Sequence, residues 1–224
     1  MKITHFGHAC VLVEVPLRDK TVQILIDPGT YSRDFEDLLD IDLVLITHSH
    51  PDHVDSDRLR ALFERNPDSD LVYSAGAEAT LASITPSGCV ARPGDILRLR
   101  GVEIAVTGGD HACIHPDLPG CDNNGYLVGG SLFHPGDSLE TPPFDVDTLL
   151  LPAGGPWMKL SEGIDFLRAV GPRVAIPIHQ AGLATVHQNM HHQLLTKLAP
   201  NKTEVIVLDH ATSHALGPRQ EVHG

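Results

Sequence analysis

The stretch LVLITHSHPDH, residues 43–53, joins an apolar run to a dense group of polar side chains. Its first four residues are aliphatic or β-branched, which predicts a buried strand. Three imidazoles and a carboxylate follow, at His48, His50, Asp52 and His53. A strand that ends in such a group brings nitrogen and oxygen donors to one point at the edge of a sheet. Neutral imidazole and carboxylate are ligands for zinc and, with more oxygen donors, for manganese or iron.

The spacing within this group favours two metal ions over one. His48 and His50 are two residues apart, so in an extended segment they project to the same side. Asp52 and His53 are adjacent, so they diverge and can reach a second point. With 15 histidines in the chain, some clustering is expected by chance. The complete His-x-His-x-Asp-His pattern after a buried strand nevertheless favours a metal site over a solvated His-rich loop.

The string THSHPDH, residues 47–53, resembles the signature of the metallo-β-lactamase superfamily, a group of mostly dinuclear metallohydrolases. Later segments fit the order of that family's pattern: VEIAVTGGDHACIHPD at 102–117, SLFHPGDS at 131–138 and VAIPIHQAG at 174–182. The resemblance runs from about residue 3 to about residue 210. Many members have Gly two residues after the last His of the signature, where this chain has Asp55.

The resemblance implies a set of metal ligands shared between two ions. One ion would be held by three imidazoles, those of His48, His50 and His111. The other would be held by Asp52, His53 and His179. Asp137 would bridge the two ions, and His115 is the alternative to His111. We therefore expect two divalent metal ions as cofactors, zinc in the first place, with manganese or iron as alternatives.

Strands and helices alternate along the chain, which predicts a layered α/β architecture. The predicted strands are 10–15, 22–27, 43–47, 71–74, 102–106, 126–128, 131–134, 148–151, 174–178 and 204–208. The predicted helices are 56–65, 77–84, 161–170 and 183–198, and Ser161 is the expected cap of the third. The resemblance implies a four-layer αββα sandwich, formed by a single domain over residues 1–224.

Several candidate site residues have the same position relative to the predicted strands. Asp27, His48, Asp137 and His179 each lie at or just past the carboxyl end of a strand. Functional groups collect at such edges because the loops there vary while the sheet fixes their bases. Asp27 is either a turn residue before Pro28 or, as the resemblance favours, a carboxylate that orients a ligand imidazole or the signature loop.

Four further features are candidates for the walls of a pocket. His5 and His8 precede the first predicted strand, and His8 is expected to line the pocket. His134 either points into the pocket or simply ends a strand. Trp157 is either a core residue or part of a surface loop that faces substrate. The long loop at 108–125 is predicted to form one wall, because loops of that length in a compact domain are usually functional or mobile.

The expected function is hydrolysis of a small molecule through a lactone, ester or phosphodiester bond. The sequence has no G-x-S-x-G nucleophile elbow, so a hydroxide that bridges two metal ions is the expected nucleophile. Asp52 would orient this hydroxide and take up its proton, while His8 or His134 would protonate the leaving group. The alternatives are a nuclease of the same fold and a metal-binding relative without turnover.

Composition bears on partners and location. The formal net charge is −13 and the 16 basic residues are scattered, which argues against nucleic acid as a partner. No stretch approaches the ~20 apolar residues that a bilayer span needs, and the first residues do not form a signal peptide. We expect a cytoplasmic protein with its 4 cysteines reduced, without membrane contact and with a homo-oligomer as one option.

Overall fold

The computed structural model describes residues 1–82, 84 and 88–217 of the chain. Within them the strands are, in chain order, β1 (Lys2–His5), β2 (Val11–Pro16), β3 (Thr21–Ile26), β4 (Leu43–Ile46), β5 (Asp70–Ser74), β6 (Gly88–Ala91), β7 (Ile96–Leu99), β8 (Val102–Asp110), β9 (Asp122–Val128), β10 (Leu132–His134), β11 (Thr148–Pro152), β12 (Val174–Ile178), β13 (Glu204–Val205) and β14 (Ser213–Ala215). The helices are α1 (Ser56–Arg65), α2 (Glu78–Leu81), α3 (Leu160–Val170) and α4 (Thr185–Leu198).

These strands form two sheets that pack face to face. The first sheet has the order β14-β1-β2-β3-β4-β5-β6, and the second has the order β13-β12-β11-β10-β9-β8-β7. Aliphatic side chains from both sheets, such as Ile24, Leu45, Ile104 and Ile176, share one fully buried core between them. This burial is the main stabilising contribution to the sandwich.

Helices cover the outer face of each sheet. Leu59 and Leu62 of α1 belong to the apolar cluster on the outside of the first sheet. Phe166 and Leu167 of α3 and Leu195 of α4 belong to the cluster outside the second sheet. The predicted four-layer αββα sandwich is therefore confirmed. In the described part of the chain, no helix is both long enough and apolar enough to cross a membrane.

Parallel strands in each sheet gather the important loops at one edge. Strands β3 to β6 are parallel to one another, and so are β10 to β13. Their carboxyl ends therefore lie on the same edge of each sheet. Asp27 follows β3, His48 follows β4, Asp137 follows β10 and His179 follows β12. These residues therefore share a position at the sheet edge, as predicted, because the strands before them run in the same direction.

Some predicted helix boundaries are wrong. The range 56–65 is confirmed as α1, but the second helix is only Glu78–Leu81, after a 3₁₀ turn, and Ser83 of its predicted range lies outside the described residues. Ser161 does not cap α3, because the helix already begins at Leu160. The Glu162 carboxylate instead accepts a hydrogen bond from the Lys159 N–H at 2.7 Å. A carboxylate that reaches back in this way satisfies a free N–H group of the first turn.

Four short strands, β1, β6, β7 and β14, were not predicted, whereas the predicted strand 204–208 shortens to Glu204–Val205. Each of the four pairs with at least one neighbouring strand of its sheet. Such pairing overrides weak local propensity, so it is not visible in a local pattern.

Candidate metal centre

The signature loop after β4 is held against the loop after β3. A Cβ atom at Gly29 would lie 1.9 Å from the carbonyl oxygen of Asp52, so only glycine allows this approach. The Asp55 N–H donates to the carbonyl oxygen of Pro28 at 3.0 Å. The Asp55 side chain accepts from the Arg58 N–H at 3.1 Å and caps α1. In this chain an acidic cap therefore occupies the position where many members of the resembled family have glycine.

Two groups of donor atoms meet at the sheet edge, and a third group, His48, His53 and Asp137, links them; the atoms within each group lie within 4.8 Å of one another. The first comprises His48, His50 and His111. The second comprises His8, Asp52, His53 and His179. These groups match the two sets that the resemblance implies, with His8 as an addition to the second.

Asp137 lies between the two groups. Its Oδ2 is 3.3 Å from His111 Nε2 and 3.1 Å from His179 Nε2. Its Oδ1 is 3.0 Å from His53 Nε2. One carboxylate thus reaches imidazoles of both groups, which is the arrangement expected of a bridging ligand.

Four of the five predicted ligand imidazoles turn the same nitrogen toward the centre. Nδ1 of His48 lies 3.0 Å from Thr47 Oγ1, Nδ1 of His53 lies 2.7 Å from Asp27 Oδ2, and Nδ1 of His111 lies 2.6 Å from the carbonyl oxygen of Ala112. Nδ1 of His179 lies 2.5 Å from the carbonyl oxygen of Gly154. Because these oxygens accept a proton from Nδ1, each Nε2 is left to bind a metal, as outer contacts of ligand histidines commonly ensure. His50 differs, since its Nδ1 lies 3.1 Å from His48 Nε2.

Several buried polar atoms at the centre have no hydrogen-bond partner among the residues that the structure describes. They are Nε2 of His53, His111 and His179 and Oδ1 of Asp137. The short separations around Asp137 do not have hydrogen-bond angles, so these lone pairs converge on common points. Buried polar atoms without partners are costly. A divalent metal ion is the partner that imidazole and carboxylate together suit, so these residues fit the implied ions.

Electrostatics agree with a site built for cations. Burial would raise the pKa of Asp137, but His53 and the contacts of His111 and His179 outweigh it and hold that pKa well below its usual range. Burial likewise opposes ionisation of Asp52, yet the His8 hydrogen bond lowers its pKa to about 2. Two ionised carboxylates therefore face the imidazoles at neutral pH.

Asp27 and Thr47 form a buried network behind the ligands. The Asp27 carboxylate accepts hydrogen bonds from the Thr47 N–H at 2.8 Å, the Thr47 hydroxyl at 2.7 Å and His53 Nδ1 at 2.7 Å. Asp27 thus makes both contacts that the sequence analysis favours, to a ligand imidazole and to the signature loop. Burial would lower the pKa of His53, but the carboxylates of Asp137 and Asp27 raise it well above its usual value.

His8 is fixed by the backbone around it. Its Nδ1 accepts from the Ala181 N–H at 3.3 Å, so Nε2 carries the proton and donates to Asp52 Oδ2 at 3.0 Å. Its carbonyl oxygen accepts from His5 Nε2 at 2.9 Å and from the His179 N–H at 2.8 Å. Both His8 and His179 have positive φ, 51° and 61°. Strained backbone of this kind is found where the surrounding structure dictates the position of a functional residue.

Two candidates are not brought into the centre. His134 is fully buried, with Nε2 3.0 Å from the carbonyl oxygen of Ala9 and Nδ1 accepting from the Gly136 N–H at 3.0 Å. Both ring nitrogens contact backbone groups and the ring lines neither cavity at the centre, so this geometry does not fit protonation of a leaving group. The two hydrogen bonds instead hold the turn before Asp137 in place. His115 has an exposed side chain and belongs to neither group of donors, whereas His111 does.

Trp157 contacts the centre in a way that the sequence does not reveal. Its indole Nε1 donates to Asp137 Oδ2 at 2.7 Å, and the ring meets those of His111 and His179 edge to face. The side chain is buried, so the surface-loop alternative is wrong. A Cβ atom at Gly155 would lie 2.7 Å from Nε1, so the pair of glycines before Trp157 was the available signal for this packing.

Two cavities flank the centre. The first, of about 530 Å³, is lined by His8, Thr30, Tyr31, Pro51, Asp52, Gly154, Gly155, Pro156, His179, Gly182 and Leu183. The second, of about 490 Å³, is lined by His50 and by residues 110–116 and 118–121. Most of the loop predicted as a pocket wall therefore does line a cavity, although its ends continue β8 and β9. His8 lines the first cavity, as expected.

Comparison with known proteins connects this site to a family. A sequence model of the beta-lactamase superfamily domain matches residues 2–179. The Mycobacterium tuberculosis protein Rv0786c is 42% identical over 211 residues, covering 92% of this chain and 96% of that protein. A UPF0173 protein of Pyrococcus furiosus is 32% identical over 191 residues, covering 80% of this chain and 83% of its own.

More distant relatives are similar over nearly as much of the chain. A UPF0173 metal-dependent hydrolase of Thermoplasma acidophilum is 22% identical over 189 residues, covering 80% of this chain and 83% of its own. Igni18, a metallo hydrolase of Ignicoccus hospitalis, matches with a TM-score of 0.70 and 24% identity, over 96% of this chain and 99% of that one. The structural likeness extends over the whole αββα sandwich.

Proposed function

The chain belongs to the beta-lactamase superfamily, as its sequence resemblance predicts, and from that premise we propose that it is a dinuclear metal-dependent hydrolase of a small molecule. The observation that carries this proposal is the position of Asp137, whose two oxygens lie within 3.3 Å of Nε2 atoms from both groups of imidazoles. The name of the Thermoplasma acidophilum relative supports the same reaction class.

In this proposal the chain supplies the ligands predicted from the sequence. His48, His50 and His111 would hold one ion, Asp52, His53 and His179 would hold the other, and Asp137 would serve both. Two divalent ions bound there would make water available as a nucleophile near neutral pH and would stabilise the charge that develops on the bond under attack.

Asp52 and His8 are the proposed groups for proton movement. Asp52 lines the first cavity and accepts the His8 Nε2–H at 3.0 Å. That hydrogen bond holds one oxygen of the carboxylate in place and orients the other. His8 also lines the cavity, and it can pass a proton between Asp52 and a leaving group. Burial is the main cause that lowers the pKa of His8 to about 4, and the imidazoles of His179 and His53 add to it, although the hydrogen bond to Asp52 opposes them. The ring is therefore neutral at pH 7.

Cavity size favours a small molecule as substrate. Small-molecule pockets typically have volumes of about 300–1,000 Å³, and both cavities at the centre fall within that range. The net charge of −13 makes a polyanionic nucleic acid a poorer partner.

Elemental mass spectrometry of purified protein tests the proposal, with hydrolysis assays on ester, lactone and phosphodiester panels. We expect about two equivalents of zinc, manganese or iron per chain and hydrolysis in at least one panel. No bound metal after reconstitution would favour a binding protein without turnover. One equivalent would contradict the dinuclear site, even if the protein is active.

A further inference from the structure

The first cavity adjoins the Asp52 and His179 side of the centre, and most of its wall is apolar. Leu183, the Tyr31 ring and the prolines Pro51 and Pro156 supply the apolar surface. Backbone of three glycines completes the wall. The polar groups that remain are those of Thr30 and of residues already placed at the centre. A cavity with apolar walls and a few polar groups at one end orients a ligand by its reactive end.

Cationic side chains are absent from the described residues that line the first and second cavities. The ionised groups there are carboxylates, those of Asp52 in the first cavity and Asp110 in the second. Arg58 reaches the loop that carries Tyr31, but its guanidinium is already committed. It donates to Asp55, Glu36 and the carbonyl oxygens of Gly29 and Ser32.

This charge pattern discriminates between classes of substrate. Metal ions at the centre would neutralise charge on the reacting group alone. A phosphate or carboxylate elsewhere on the substrate would lose its hydration without gaining a cationic partner, which is costly. An uncharged substrate does not have this cost, and its apolar part gains from burial against Tyr31 and Leu183.

We propose that the substrate is an uncharged ester or lactone whose apolar group lies in the first cavity against Tyr31 and Leu183. This inference rests on the proposed function. In the reaction, water adds across the ester bond: the carbonyl carbon gains the hydroxyl, its bond to the alkoxy oxygen breaks, and that oxygen gains the proton. The products are the carboxylic acid, which ionises at neutral pH, and the alcohol.

The test compares substrates that share one leaving group, using metal-loaded protein. We expect p-nitrophenyl hexanoate to have a higher kcat/KM than p-nitrophenyl acetate, by up to about fourfold per added methylene, since each buried methylene contributes about 0.8 kcal/mol. The anionic ester mono-p-nitrophenyl glutarate and the anion bis(p-nitrophenyl) phosphate should be poor substrates. Calorimetry of hexanamide binding to chelator-treated protein measures the affinity of the cavity for an apolar group without turnover.

Variants place the effect in the cavity. Leu183→Ala and Tyr31→Ala should raise KM for the hexanoate more than for the acetate and should weaken hexanamide binding. Leu183→Arg should shift preference toward the glutarate ester, because it adds the missing cation. Val186→Ala is the matched control, since Val186 is 70% exposed on α4 and does not line the cavity.

The outcomes separate the two proposals. If no substrate in any panel is hydrolysed by protein with two bound metals, the proposed function fails. If hydrolysis occurs but the phosphodiester or glutarate ester is preferred, or chain length has no effect, only the inference about uncharged substrates is overturned.

Discussion

Trp157 Nε1 donates a hydrogen bond of 2.7 Å to Asp137 Oδ2, the same oxygen that lies 3.1 Å from His179 Nε2 and 3.3 Å from His111 Nε2. The backbone N–H of Asp137 donates a second hydrogen bond, to Asn123 Oδ1 at 3.0 Å. Asp137 is thus fixed at both its backbone and its carboxylate. Carboxylates that bind metals depend on such contacts for their orientation.

Replacing Trp157 with Phe should weaken metal binding by about tenfold to a hundredfold, the usual cost of losing an orienting contact. The smaller phenyl ring keeps an aromatic side chain and part of the packing, while the hydrogen bond is lost. Chelator competition measures the affinity. Urea unfolding of the two metal-free proteins gives the difference in the free energy of unfolding, which shows how much of the effect comes from lost packing rather than from the lost hydrogen bond. Equal affinities in the wild type and the variant would show that the indole N–H does not position Asp137.

Removing a ligand should remove metal while leaving the fold largely intact. We expect His50→Ala and Asp137→Asn each to abolish hydrolysis and to reduce bound metal, with Asp137→Asn affecting both ions. His115→Ala is the control, because its side chain is exposed and outside both donor groups. Circular dichroism checks the fold and elemental mass spectrometry counts the metal. Full activity in both variants would refute the assigned site, and metal loss in His115→Ala alone would reverse the choice of His111.

The sequence predicts the centre best where its ligands are close together. Residues 48–53 form one local pattern, and parallel strands explain why Asp27, Asp137 and His179 arrive at the same edge. The family resemblance supplied the distant ligands, because no local rule links position 48 to position 179.

Contacts between residues far apart in the sequence could not be predicted in this way. Trp157 meets Asp137 across 20 residues, and His8 pairs with Asp52 across 44. The place of His134 three residues before Asp137 suggests a catalytic role. In the structure its ring nitrogens contact the backbone of Ala9 and Gly136, and no local pattern predicts these contacts.

Asp27 should matter for stability as well as for metal binding. Asp27→Asn breaks a fully buried ion pair with His53 and places an amide against donors, so we expect a loss of about 3–5 kcal/mol in the free energy of unfolding. Asp42→Asn is the control. Asp42 accepts the Gln23 N–H at 2.9 Å but lies remote from the candidate ligands, before β4. Urea unfolding and metal counts should show a small stability loss and full metal content for that variant. Similar stability losses in the two variants would contradict a special role for Asp27.

Tyr126 provides a prediction for alkaline pH. Its phenol is fully buried between the sheets and donates to the Ile46 carbonyl oxygen at 2.8 Å, and burial raises its pKa although Asn124 opposes this. An unfolded tyrosine ionises near about pH 10. Above that pH the unfolded chain releases a proton that the folded chain keeps. The contribution of Tyr126 to the free energy of unfolding is therefore complete below about pH 9 and falls as pH rises, by up to about 1.4 kcal/mol per pH unit.

Tyr126→Phe should lower the free energy of unfolding by about 1 kcal/mol at pH 7 through the lost hydrogen bond, and this deficit should shrink above pH 10. Urea unfolding of both proteins at pH 7, 9 and 10.5 measures the difference, which cancels the shared effect of other groups such as the buried Cys10 thiol. A deficit that stays constant over this range would mean that the phenol does not resist ionisation in the folded state.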